Sequence, residues 1–145
     1  MAPFYIIGNL PRVTKNNTMD TKPYYSIKKM SPLFVVADLS RSIEFYKTRL
    51  GFNLDFLYED FYAGVIKDGC SIHLKCGKPN EEERQSKRDK EHIDMTFSID
   101  NIEHLHEAFI SDRMEFVQPL RQMPYGKEFY IADPDGYIIA FLEEA

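Results

Sequence analysis

The sequence predicts an α+β fold in which two tandem βαβββ modules form curved mixed sheets around a cleft. Three observations predict it. The order of strand, Asp-led start, helix, strand and hairpin occurs twice along the chain. Each hairpin contains an Asp-Gly turn, at Asp68-Gly69 and at Asp135-Gly136. The 145 residues, 43% of them apolar, are enough for one domain with a core but too few for two ordinary domains.

The first module is predicted over residues 31–76. A Val- and Phe-rich strand at 31–37 is followed by Asp38, which is a typical helix start signal. The helix at 40–50 places apolar side chains at spacings of three and four, and a glycine follows where a C-terminal cap is expected. Three antiparallel strands at 52–58, 62–67 and 70–76 complete the module.

A charged linker at 77–91 joins this module to the second, predicted over residues 92–145. The linker carries five acidic and five basic side chains in fifteen residues, which is typical of a mobile linker or a solvated helical turn. The second module repeats the pattern with a strand, a helix after Asp100-Asn101, another strand and a closing hairpin. Those strands are predicted at 93–99, 115–120, 128–132 and 137–143. Residues 31–145 are therefore expected to form a single domain.

Residues 1–30 lack sustained periodicity and are predicted to be an appended N-terminal arm. Met19 and Met30 are both possible translation starts, and packing of this arm on a partner subunit is the competing interpretation. The arm carries five basic and one acidic side chain, which leaves 13 basic and 22 acidic side chains, a charge of −9, from Ser31 onward. An acidic body favours cationic ligands and disfavours nucleic acid, although the charge is equally consistent with a simple role in solubility.

A cytoplasmic location is expected. No apolar run approaches the roughly 18 residues that a membrane span needs, and the N-terminus does not have the pattern of a signal peptide. The two cysteines, Cys70 and Cys76, match neither a zinc knuckle nor a secreted disulfide scaffold, so a reducing compartment fits them best.

Strand alternation predicts that His73 and Asp94 face the cleft. A histidine and a carboxylate on facing strands form half of a metal site or an acid-base pair, and the alternative is that both bind ligand by hydrogen bonds. Their counterparts in the repeat, Ala140 for His73 and Ser31 for Asp94, are not metal ligands. Since catalytic sites normally supply three protein ligands, a metal held by His73 and Asp94 alone is expected to be weak.

Two motifs carry a family resemblance. The stretch FVVADLSRSIEFYKTRLGF at 34–52 and the stretch FYIADPDGYIIAFLEE at 129–144, within the duplicated βαβββ order, resemble the vicinal oxygen chelate superfamily of glyoxalases, bleomycin resistance proteins and extradiol dioxygenases. The resemblance implies the glyoxalase/bleomycin resistance fold and a homodimer with ligand clefts at or near its interface. It places the metal-ligand positions of the superfamily's enzymes on Ser31, His73, Asp94 and Ala140, a set that departs from the usual pattern at three places.

Within the superfamily, residues 50–69 and 124–136 are most similar to bleomycin resistance proteins. That resemblance implies metal-independent sequestration of a cationic or aromatic small molecule in a dimer cleft, with Tyr62 or its neighbour Phe61 and Tyr125 lining the groove together with His73 and Asp94. The competing interpretation is that the aromatic residues only pack a hairpin and a loop. The alternative function is that of a metal-dependent lyase, isomerase or dioxygenase using His73 and Asp94 with a divalent ion.

Overall fold

The computed structural model describes residues 22–145, so the predicted arm up to residue 21, including the possible start at Met19, lies outside the described residues. Residues 22–30 contain no regular secondary structure and expose Tyr24, Ile27 and Met30. The elements in chain order are β1 (Leu33–Val36), α1 (Leu39–Thr48), β2 (Asn53–Tyr58), β3 (Tyr62–Lys67), β4 (Cys70–Cys76), α2 (Glu81–Asp89), β5 (Met95–Ser98), α3 (Ile102–Ser111), β6 (Phe116–Met123), β7 (Gly126–Ala132) and β8 (Ile138–Glu144).

The strands form two four-stranded mixed sheets of the same topology. The first sheet has the order β1-β4-β3-β2 and the second has the order β5-β8-β7-β6. The first strand of each module runs parallel to the last one, and the remaining neighbours are antiparallel. The register pairs Leu33 with His73 in the first sheet and Thr96 with Ala140 in the second. The predicted α+β fold with two βαβββ modules is confirmed.

One hydrophobic core joins both modules. Helices α1 and α3 pack on their own sheets, and the helix-facing sides of the two sheets meet between them. Tyr46 of α1 and Phe129 of β7 are fully buried there. Because burial of apolar surface is the main favourable term in folding, this shared core holds the two modules together as one body.

A turn of the second module forms hydrogen bonds with the helix of the first module. Tyr46 of α1 donates a hydrogen bond of 2.8 Å to Asp133, and Ser42 of α1 donates one of 3.3 Å to Asp135. We call residues 133–137 the clasp. Both of its carboxylates are nearly excluded from water, so these hydrogen bonds satisfy charges that would otherwise be costly to bury.

The linker contains a helix where the sequence left a mobile linker or a helical turn open. Asn80 caps α2, since its side chain accepts a 3.0 Å hydrogen bond from the Glu83 amide. Arg84 and Lys87 of α2 then reach the carboxylate of Asp94 just before β5. Polar anchors of this kind leave no apolar periodicity in the sequence, which is why the pattern did not predict the whole helix.

Candidate ligand-binding site

An aromatic cluster covers the side of the first sheet that faces away from its helix. We call this side the first open face. Phe56 lies near Tyr58, Tyr62 and His73, with ring centroids 5.4, 5.9 and 5.2 Å away. The Tyr62 hydroxyl is 2.8 Å from Nδ1 of His73. The four rings therefore form a packed aromatic surface on β2, β3 and β4.

The sequence places these rings together because strand residues alternate between the two faces of a sheet. Ala63 and Val65 of β3 point into the core, which leaves Tyr62 and Gly64 on the first open face. Phe56 lies directly over Gly64, where an added Cβ would come within 2.2 Å of its ring. A glycine at this position is needed for the ring to lie against the sheet.

Two polar atoms of the first open face have no hydrogen-bond partner among the described residues. They are Nε2 of His73 and the hydroxyl of Ser71, both on β4 and both shielded from water. Ser71 is only 5% exposed. Since buried polar groups are nearly always paired in proteins, these two unpaired atoms mark a place on this face where a polar partner is missing.

The edge of the first open face is apolar and accessible. Tyr58 is 59% exposed and Phe61, in the turn between β2 and β3, is 51% exposed. Neighbouring exposed rings form a larger apolar patch than scattered surface residues, and such patches often mark binding sites.

The equivalent side of the second sheet, which we call the second open face, combines an apolar floor with a buried carboxylate. Tyr130, Ile138 and Ala140 form the floor together with Val117. Ala140 stands where the first open face has His73, as the repeat predicts. The second open face therefore presents a smooth apolar surface where the first presents an imidazole.

Glu128 is the buried carboxylate of the second open face. It accepts hydrogen bonds of 2.8 Å from Tyr125 and from Arg121, and one of 3.1 Å from Tyr130. Burial alone would raise the pKa of Glu128, but these three donors outweigh it and hold the pKa below its usual value. Glu128 is therefore an anion at neutral pH, and it fixes the Tyr125 ring, which is 49% exposed, at the edge of this face.

The side chain of Asp94 connects helix α2 to the second sheet. One of its carboxylate oxygens is 2.8 Å from Arg84 and accepts a hydrogen bond of the same length from the Ile138 amide, while the other is 2.7 Å from Lys87. Burial would raise the pKa of Asp94, yet these donors lower it. The structure thus places Asp94 at the anchor of α2, with partners that do not include His73.

Replacing Asp94 with asparagine is expected to loosen α2. Asparagine keeps an acceptor for the Ile138 amide but removes the ion pairs with Arg84 and Lys87, which should cost about 1.5–3 kcal/mol for each lost charged hydrogen bond. Hydrogen exchange of the α2 amides should then become faster by tenfold or more. Glu82→Gln, at an exposed position of the same helix, is the control. Unchanged α2 exchange in Asp94→Asn would contradict the anchoring role.

The donor set of a single chain does not fit a tightly held metal ion. Of the four superfamily positions, Ser31 and Ala140 do not supply a strong ligand. The carboxylate of Asp94 is bound by Arg84 and Lys87, which leaves only His73. Residues 22–145 contain no group of three or more His, Cys, Asp or Glu side chains arranged to hold an ion. A stable catalytic site normally needs three such ligands, and His73 alone does not provide them.

Comparison with known families agrees with the duplicated fold. The family model described as Glyoxalase/Bleomycin resistance protein/Dioxygenase superfamily matches residues 30–141. The chain belongs to this superfamily. The resemblance carried by the two sequence motifs is therefore confirmed.

Solved structures of the superfamily's fold resemble the chain at low sequence identity. UcmS2 is 22% identical with a TM-score of 0.65, over 83% of this chain and 100% of that chain. The bleomycin-binding protein of Streptomyces verticillus, in complex with copper(II)-bleomycin, is 18% identical with a TM-score of 0.63, over 84% and 100%. TnmS3, an antibiotic binding protein from Streptomyces sp. CB03234, is 15% identical with a TM-score of 0.68, over 84% and 100%. No curated protein matches the sequence.

Sequence reasoning missed several residues of the two open faces. Phe56 and Tyr58 lie on one side of β2, and period-two alternation would have found them. Glu128 and Arg121 were also missed. They pair across β6 and β7, and the β6 register is interrupted by irregularities, so simple alternation does not reveal that pair.

No helix within residues 22–145 is long and apolar enough to cross a membrane.

Proposed function

We propose that the protein is a homodimer that binds a small aromatic, cationic organic molecule without a metal ion. The ligand lies in a cleft between the first open face of one copy and the second open face of the other. The aromatic cluster of Phe56, Tyr58, Tyr62 and His73 carries this proposal. It offers flat, partly exposed rings beside buried polar atoms that lack partners.

Such a surface suits a flat heteroaromatic ligand. Aromatic rings stack on one another in offset or edge-to-face geometry, and a cation over a ring face gains about 0.5–2 kcal/mol. Nε2 of His73 and the Ser71 hydroxyl supply hydrogen bonds that fix the ligand's orientation. The acidic body favours a cationic ligand over an anionic one.

Two features support a cleft between copies. The modules of one chain meet through the helix-facing sides of their sheets. The apolar cluster of the second open face, in contrast, is formed by second-module residues alone. The shared core therefore does not cover either open face. In the proposed dimer, the open face of a second copy covers it with another largely apolar surface. Two solved structures with this fold are described as binding bleomycin or an antibiotic, which agrees with a small-molecule ligand.

The proposal dispenses with a metal because the positions around His73 lack strong ligands. Ser31 and Ala140 occupy two of the superfamily's metal positions, and Asp94 is bound to α2, so binding energy comes from stacking, hydrogen bonds and charge. The proposed role is capture of the ligand, for which no chemical step is required. Metal analysis of the purified protein tests this part, and one tightly bound transition metal per chain would overturn it.

Titration with bleomycin, followed by tyrosine fluorescence, tests binding in a chain that has nine Tyr and no Trp. Saturation at micromolar bleomycin is expected. Tyr62→Ala should weaken binding by about 1–3 kcal/mol, because it removes a ring of the cluster and the partner of His73. Tyr24→Ala is the matched control, since Tyr24 lies on the exposed arm. Absence of a saturable change in the wild type would reject bleomycin-like cations as the ligand class.

Mixing two variants tests the cleft between copies. Tyr62→Ala damages the first open face, and Tyr125→Ala is expected to damage the second by about 1–3 kcal/mol. A mixed dimer then contains one cleft with both defects and one intact cleft. Half of the wild-type capacity at wild-type affinity is expected in mixed dimers. If mixing restores nothing, the cleft lies within one chain and the dimer proposal fails.

A further inference from the structure

A cavity of about 220 Å³ lies where the two modules meet. Its walls carry four phenylalanine rings, two leucines and an isoleucine from both modules, and Lys67, Asp68, Cys70 and Ser98 also line it. Asp68 and Cys70 are exposed to solvent, so the cavity is open on that side. None of the residues of the two open faces takes part. Enclosed apolar cavities of about 150 Å³ bind benzene in other proteins, so the volume of this partly open cavity suffices for a monocyclic ring.

The duplication identifies the counterpart of each wall residue. Because Leu33 pairs with His73 and Thr96 pairs with Ala140, Phe34 corresponds to Phe97. His73 corresponds to Ala140, so counting back three residues from each makes Cys70 the counterpart of Tyr137.

The other half of the molecule fills the equivalent space with the Tyr137 ring. This ring stacks on Phe34 with centroids 4.1 Å apart and planes 7° apart. On the cavity side Phe97 has the small side chain of Cys70 in the corresponding place. The cavity therefore corresponds to a phenol ring that is present in one half of the duplicated fold and missing from the other.

The helices differ in the same sense. Ser42 and Tyr46, the fourth and eighth residues of α1, hydrogen bond to the aspartates of the clasp. The fourth and eighth residues of α3 are Leu105 and Phe109, which line the cavity. The polar side chains of α1 thus have apolar counterparts in α3, and these apolar walls favour an aromatic ring. Asp68, the counterpart of Asp135, also lines the cavity but is largely exposed to solvent.

The backbone groups that bind the Tyr137 hydroxyl also have a counterpart in the other half of the fold. The Tyr137 hydroxyl accepts a bond of 2.9 Å from the Val35 amide and donates one of 2.8 Å to the Val35 carbonyl. Ser98 is the counterpart of Val35. The Ile99 amide donates a hydrogen bond to the Leu142 carbonyl of β8. Because backbone groups alternate in direction along a strand, the amide and carbonyl of Ser98 point away from β8. A side chain equivalent to Tyr137 would approach Ser98 from that side.

We infer that this cavity is a second binding site, selective for a small monocyclic phenol. The ring lies against Phe97 as Tyr137 lies against Phe34, and the phenol hydroxyl reaches the backbone of Ser98 as Tyr137 reaches Val35. The site is separate from both open faces and does not depend on the proposed cleft.

Phenol itself is the probe, titrated to millimolar concentration while amide chemical shifts are followed by NMR. Saturable shifts are expected at Ser98, Phe97 and Leu105. Cys70→Tyr supplies the missing ring covalently and should weaken phenol binding by about tenfold or more, because the new side chain occupies the same volume. Cys76→Tyr is the matched control, since Cys76 is the other free, exposed cysteine of β4 and does not line the cavity.

Cys70→Ser tests the site independently of whether the larger tyrosine folds. Serine leaves the volume open and should retain phenol binding, as should Tyr62→Ala on the first open face. Loss in Cys70→Tyr together with retention in Cys76→Tyr, Cys70→Ser and Tyr62→Ala supports the site. No saturable shift in the wild type, or wild-type affinity in a folded Cys70→Tyr protein, would overturn it.

Discussion

Replacing Phe129 with alanine is expected to lower the free energy of unfolding by about 3–5 kcal/mol, the typical cost of removing a fully buried aromatic side chain. Phe129 has no solvent exposure and lies between α3 and the second sheet. Its ring centroid is 5.2 Å from Phe141, 5.7 Å from Phe116 and 5.8 Å from Phe109. The three partners lie on three different elements, so they cannot all move to fill the space without strain.

Urea unfolding, followed by circular dichroism, measures this effect. Phe61→Ala is the matched control, because Phe61 is half exposed in the turn between β2 and β3. Its effect on the free energy of unfolding should stay within about 0.5 kcal/mol. A loss below about 1 kcal/mol in Phe129→Ala would show that this cluster contributes little to the shared core.

The second large effect is on pH dependence and arises from Asp133 of the clasp. Burial raises the pKa of Asp133 to about 6, although hydrogen bonds from Tyr46 and from two backbone amides lower it. An aspartate in the unfolded chain has a pKa of about 3.9. The native state therefore binds this proton more tightly than the unfolded state does.

The contribution of Asp133 to stability follows from that difference. It is fully present below about pH 4 and is lost as the pH rises through about 6, and two pKa units correspond to about 3 kcal/mol. The stability of wild type relative to Asp133→Asn should fall by this amount between about pH 4 and pH 7. Subtracting the variant removes the titration of all other groups.

Urea unfolding of both proteins at several pH values checks this prediction. Tyr46→Phe provides a second comparison, since loss of its hydroxyl removes a hydrogen bond that favours the charged form of Asp133. The midpoint of the stability change should then move to higher pH. A constant difference between wild type and Asp133→Asn across the range would contradict the raised pKa.

The first module shows how far sequence pattern can go. Strands β3 and β4 have the bounds that alternation and the Asp68-Gly69 turn predict, because a two-residue turn fixes the register of a hairpin. Helix α1 begins one residue earlier than predicted, at Leu39, since Asp38 caps it by accepting a hydrogen bond from the Arg41 amide.

The candidate site shows which contacts sequence alternation cannot predict. Alternation places Tyr62 and His73 on the same face of neighbouring strands, and the structure brings their side chains into contact. Alternation also puts Asp94 on the cleft side of its strand, but it cannot tell that Arg84 and Lys87 of the linker helix will bind that carboxylate. Pairing across separate elements depends on how the elements pack.

The amino-acid sequence alone determined the duplicated βαβββ order, the superfamily and the faces on which Tyr62 and His73 lie. These follow from local periodicity and turn chemistry, which act over a few residues. Only the tertiary structure decided that Asp94 anchors α2, that Glu128 is neutralised by Arg121 and two tyrosines, and that Tyr137 has no counterpart ring beside Phe97. Those features depend on distances between residues far apart in the chain, and periodicity carries no information about such distances.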